Sequence, residues 1–203
     1  MPRVLINYSY GYDWLVRGRP DEDWHEPYER GLAFQAGARA AWALCEAAVF
    51  AAFESCGLRC WETWPAYPVH LPPGIAAFKD PLTFGIRADW DAVWSELIHE
   101  LCHVHEDYPA NRELYDDVLT HIRALFPDED EGVQYHLITC TLQQAVLMQA
   151  FPKRWPRMLG HAKGSYHRPD EVHPILRRTW ELIEQHEATI DWRNPLGSLL
   201  RFA

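Results

Sequence analysis

Between Trp94 and Asp107 the chain reads WSELIHELCHVHED, which puts three histidines and four acids within fourteen residues. His99, Glu100 and His103 stand at i, i+1 and i+4. At 3.6 residues per helical turn the two histidines lie one above the other on a single face. Two imidazoles so placed can share one tetrahedral zinc ion, with the glutamate beside the metal-bound water. This is the H-E-x-x-H pattern, and its chemistry is metal-assisted hydrolysis. Zinc polarises the scissile carbonyl and lowers the pKa of its bound water towards roughly 7, and the carboxylate passes the proton to the leaving group. The competing account of the same residues is an ordinary solvated face rich in His and Glu.

The elements around the motif favour the chemical account. Wound at 100° per residue, Trp90, Val93, Trp94, Leu97, Ile98, Leu101 and Val104 form one apolar stripe that should face the core. His99 and His103 fall on the opposite side, with Glu96 and Glu106 near them. Asp89 is a suitable N-cap for a helix running to about His105, and Pro109 closes the segment. The run LTFGI (82–86), with β-branched and aromatic residues, reads as a strand immediately upstream.

With the strand LTFGI, the helix carrying ELIHELCHV and a further helix downstream, the chain resembles the zincin metallopeptidases over residues 82–151, and more loosely over 28–55. The resemblance implies an active-site helix packed behind a twisted sheet whose edge strand binds substrate. It assigns zinc to His99 and His103 and the general base to Glu100. The strand at 82–86 is then expected to be exposed and to take an extended peptide by main-chain pairing. The metzincin subclass is excluded, because its pattern needs a glycine at position 106 and a histidine at position 109, where this sequence has Glu106 and Pro109.

A third ligand must come from elsewhere. Glu106 lies about 7.5 Å along the helix axis from the level of the two histidines, too far in regular helix. The segment EGVQYHLITCTLQQAVLMQAF (131–151) reads as a helix with an inward stripe of Tyr135, Ile138, Leu142, Ala145 and Gln149. That phase puts Glu131 on the buried side, beside Gly132, which permits close approach of another element. Glu131 is therefore the expected third ligand, in a gluzincin-like arrangement. His136, Glu106 and the neighbouring Asp128, Glu129 and Asp130 are alternatives, since the acidic run also suits a helix N-terminus. Oxyanion stabilisation is expected from Tyr166 and His167 in the GSYHR loop (164–168), with Tyr135 as a rival.

The remainder of the chain reads as scaffold. RVLINYSY (3–10) is β-like, followed by a polar and aromatic connection to about residue 27. Residues 28–55 are alanine-rich and proline-free and read as one long helix ended by Gly57. LRCWETW (58–64) reads as a strand, the proline-rich stretch 65–81 as loop, 111–126 as a helix, 152–171 as loop and 173–190 as a last helix. A small early sheet followed by many helices gives an α+β class, and 203 residues without a linker suit a single domain. His105 and His121 sit near helix ends, where a surface role is expected.

Composition narrows the partners. Nineteen basic against twenty-nine acidic residues give a net charge of −10 and no basic stripe for a nucleic-acid backbone. No apolar run approaches the roughly 20 residues of a membrane span, and the N-terminus lacks a signal-peptide core. Five cysteines without framework spacing point to free, mostly buried thiols in a reducing, cytoplasmic setting. The expectation is a zinc-dependent peptidase acting on protein or peptide substrates, without nucleic-acid or membrane partners. A non-catalytic or regulatory protein that keeps the zinc scaffold is the alternative from another class, and a metal-free helical interaction module is the third.

Overall fold

A computed structural model describes residues 2–17, 25–71, 77–165 and 174–202. Its sheet has four strands, β1 (Arg3–Ile6), β2 (Thr63–Val69), β3 (Phe78–Lys79) and β4 (Leu82–Gly85), in the order β1-β2-β4-β3. β1, β2 and β4 are mutually parallel, and β3 is the antiparallel edge. The helices are α1 (Tyr10–Arg17), α2 (His25–Ala43), α3 (Glu46–Ser55), α4 (Trp90–Asp107), α5 (Arg112–Leu125), α6 (Glu131–Ala150), α7 (Trp155–Ser165), α8 (Pro174–His186) and α9 (Pro195–Leu199). The architecture is thus α+β, with a small mixed sheet and a predominance of helix. No single helix among the described residues is long and apolar enough to cross a membrane.

Strand β2 runs through Pro65 and Pro68, in a stretch expected to be loop from its prolines. Hydrogen-bond parity explains why both are tolerated. Glu62 and Ala66 bond towards β1, whereas Val69 bonds towards β4, so even positions face β1 and odd positions face β4. Pairing with β4 begins only at Tyr67, and pairing with β1 ends at Ala66. The missing N–H of Pro65 therefore points to where β4 has not begun, and that of Pro68 to where β1 has ended.

The helix expected over 28–55 is two helices, α2 and α3, bent by 54°. Neither proline nor glycine stands at the break. A tertiary contact holds it, because the Glu46 carboxylate at the start of α3 accepts from the Val4 backbone N–H (2.7 Å) and from Trp42 Nε1 (2.9 Å). The Ile6 carbonyl accepts from Gln35 Nε2 and Arg39 Nε. Two outward backbone groups of β1, the Val4 N–H and the Ile6 carbonyl, are thus taken by side chains, which obstructs this edge to further strands. Gly57, at φ +89°, ends α3 as expected, in a conformation a side chain would strain.

Two further expectations are corrected. α1 folds within the presumed connection, anchored by its buried Asp13, which accepts from the His70 backbone N–H (2.6 Å) and from Tyr8 Oη (2.8 Å). α7 occupies the presumed late loop, because Met158, Leu159 and Ala162 find an apolar bed and Ser95 of α4 donates to the Met158 carbonyl. At the centre lies α6, packed against α3, α4, α5, α7, α8 and α9 and buried on nearly all sides. Gly132 does permit a close approach, but the neighbour is Ile175 of α8, whose Cδ1 would stand 2.7 Å from a Cβ there.

Candidate metal centre

The motif helix α4 begins as its sequence requires, with the Asp89 carboxylate accepting from the Asp91 N–H at 2.9 Å. Its apolar stripe is buried, as Val93, Trp94, Leu97, Ile98, Leu101 and Val104 all lie in the core. The opposite side is buried too. His99, Glu100, His103 and Glu106 retain only 4%, 6%, 8% and 7% of their exposure. A solvated His/Glu face does not describe these residues. α6 covers them.

The two motif histidines converge, with His99 Nε2 and His103 Nε2 3.2 Å apart. Two nitrogens bound tetrahedrally at about 2.05 Å from a zinc ion stand about 3.3 Å apart. His136 of α6 completes a group of three whose ligand nitrogens all lie within 4.8 Å of one another. Its ring centroid is 5.9 Å from that of His99 and 5.2 Å from that of His103.

The far nitrogen of each ring faces an acceptor. His99 Nδ1 meets Gln143 Oε1 at 3.1 Å, and the orientation of that amide is set because Gln143 Nε2 donates to the Ser95 carbonyl. His103 Nδ1 meets Glu106 Oε2 at 3.0 Å, and His136 Nδ1 meets the Gly132 carbonyl at 2.8 Å. Each acceptor takes a hydrogen bond from Nδ1–H, and in a neutral ring the lone pair is then on Nε2. With both rings neutral, the lone pairs of His99 and His103 face each other, an arrangement that fits a cation between them. A ligand histidine oriented through its other nitrogen is the usual construction of a protein metal site.

Electrostatics follow the same geometry. Burial holds His99 well below the usual imidazole range, assisted by His103 and His136. Burial acts on His103 in the same direction, but its hydrogen bond and charge pairing with Glu106 override it and raise its pKa. Glu100 is pushed up to about 7, chiefly by burial, among His103, Glu96, Glu106 and Lys79. That value suits a carboxyl group that must both take and return a proton near neutral pH.

Several expected site residues stand elsewhere. Glu131 is not part of the group. Its side chain is 79% exposed and pairs with Arg123 of α5. Tyr135, His136, Thr139 and Gln143 are among the residues of α6 that meet α4, and position 131 lies about 140° around the helix from 136. The acidic run before it does helix-end work, with Asp130 accepting from the Gly132 N–H and Glu129 pairing with Arg178. Glu106 is a partner of His103, not a member of the ligand group. Tyr135 hydrogen-bonds Glu106, and burial with this neighbour raises its pKa, so its phenol is engaged on the carboxylate. Tyr166 and His167 lie outside the described residues.

His105, expected at the surface, is fully buried between Phe53 and Trp61, and burial pushes its pKa down to about 3. Strand 82–85 is not an exposed edge, because it pairs with β2 on one side and β3 on the other. The edge beside α4 is β3, whose Lys79 pairs with Asp107 at the end of that helix.

Thr139 and Gln143 were missed from the sequence. The three polar residues His136, Thr139 and Gln143 are spaced three and four apart, but Gln134, Thr141 and Gln144 on the same helix are polar too, so spacing alone does not single them out. Comparison with protein-family models, with curated proteins and with solved structures finds no match.

Proposed function

We propose that the protein is a zinc-dependent peptidase of the zincin type, with His99, His103 and His136 as ligands and Glu100 as general base. The observation that carries this reading is the convergence of three histidines, each with Nδ1 engaged and with the Nε2 atoms of His99 and His103 turned on one another, next to a buried glutamate. Three imidazoles suit zinc better than magnesium or calcium, which prefer oxygen ligands, and they leave a fourth position for catalysis. When bound there, zinc supplies Lewis acidity towards a carbonyl and towards water. Glu100 accepts the proton of the attacking water and delivers it to the leaving amine. Its burial raises the carboxyl group's pKa above the usual carboxylate range. The sheet supports the same reading, because β3 is an antiparallel edge beside the motif helix, where an extended peptide can add by main-chain pairing. The third ligand is a histidine from α6, which departs from the gluzincin glutamate.

The test is Glu100→Gln, which keeps size and removes the base. Zinc content and melting temperature should hold, while cleavage in a broad peptide library falls roughly 10²–10⁴-fold. Cleavage that survives the substitution would refute the assigned base. No cleavage of any sequence by the zinc-loaded wild type would favour a non-catalytic zinc protein.

A further inference from the structure

The structure assigns to Glu106 the part of a positioning residue for the metal centre, a role that rests on the three-histidine reading above. Glu106 lies one turn beyond His103 on α4, and its Oε2 takes the His103 Nδ1–H at 3.0 Å. Its other oxygen, Oε1, accepts from the Thr139 hydroxyl, whose Oγ1 also stands 3.4 Å from His103 Nδ1. Tyr135 adds a further hydrogen bond to the carboxylate, and its ring lies parallel to that of His103, with centroids 5.6 Å apart and planes 6° from parallel. Glu106 and Thr139 are almost wholly buried.

Three consequences follow. The His103 ring is held on both its edge and its face, so its Nε2 can point only at the cluster. The negative charge sits one imidazole away from the ion, where it offsets part of a dipositive charge that three neutral rings leave uncompensated, and does so without using a coordination position. The groups that fix the carboxylate come from α6, the helix that also supplies His136 and the Gln143 acceptor for His99. Docking α6 on α4 therefore sets the third ligand and orients the other two in one event. A glutamate needed only to satisfy Thr139 and Tyr135 would leave metal affinity untouched when made neutral.

The experiment measures zinc affinity by competition with a chromogenic chelator, for the wild-type chain, Glu106→Gln, Thr139→Val, Thr139→Ser and His136→Ala. Glu106→Gln should weaken zinc about 10–100-fold, the range found for orienting partners of metal ligands. Thr139→Val, which removes the hydroxyl that fixes the carboxylate, should weaken it in the same direction, and Thr139→Ser should restore wild-type affinity. This pair also carries the test if Glu106→Gln fails to fold. Wild-type affinity in Glu106→Gln or Thr139→Val, with loss in His136→Ala, overturns the positioning role and leaves the metal site standing. Wild-type affinity in His136→Ala as well overturns both.

Discussion

Replacing His136 and Glu131 by alanine, separately, sets the three-dimensional arrangement against the simplest phase argument for α6. His136 offers one of three nitrogens that lie within 4.8 Å of one another, and its ring is fixed by the Gly132 carbonyl at 2.8 Å. Structural zinc sites bind with about 10–16 kcal/mol. If three nitrogens share that energy equally, losing one removes about 3–5 kcal/mol, which at 1.4 kcal/mol per decade is an affinity loss of about 10²–10⁴-fold. Glu131, 79% exposed and paired with Arg123, should leave zinc affinity unchanged when truncated. Zinc titration in the presence of a competing chelator, read beside one zinc per chain by elemental analysis, resolves this difference. Equal affinities for wild type and His136→Ala, or a larger loss in Glu131→Ala, would refute the assignment of α6 as the source of a histidine ligand.

Two further outcomes are expected. Stripping zinc should lower the melting temperature, because the ligands tie α4 to α6; at free zinc 100-fold above Kd the linkage is worth about 2.7 kcal/mol, or about 5–11 °C for a chain of this size. Identical melting curves with and without chelator would contradict this. Asp13 is buried, and although burial alone would raise its pKa, hydrogen bonds from His70 and Tyr8 bring it below the usual carboxylate value. Its folded-state pKa is thus depressed, so its contribution to stability is present above the unfolded value of about 3.9 and is lost as pH falls through the folded value. In urea unfolding, the deficit of Asp13→Asn relative to wild type should therefore be large at pH 7 and shrink below about pH 3.9, and a deficit independent of pH would count against the depressed carboxylate.

What the sequence determined by itself is mostly local. The H-E-x-x-H spacing, the Asp89 cap, the apolar stripe of α4, the strand at 82–85 and the stop at Gly57 all rest on interactions within a few residues, and each stands where short-range rules put it. Glu100 and the two histidines were legible for the same reason, since one helical turn fixes their mutual placement. The break between α2 and α3 was not, because it depends on Glu46 reaching Val4, 42 residues away. Neither was β2, where the prolines are harmless only because of where its neighbours begin and end. The third member of the histidine group belongs to this second kind. α6 is buried on nearly all sides, so its apolar residues mark no single inward face, and its several polar residues do not by themselves say which of them meets α4. Only the packing of the two helices decides that His136, and not Glu131, turns towards His99 and His103, and that Glu106 is held between His103 and Thr139.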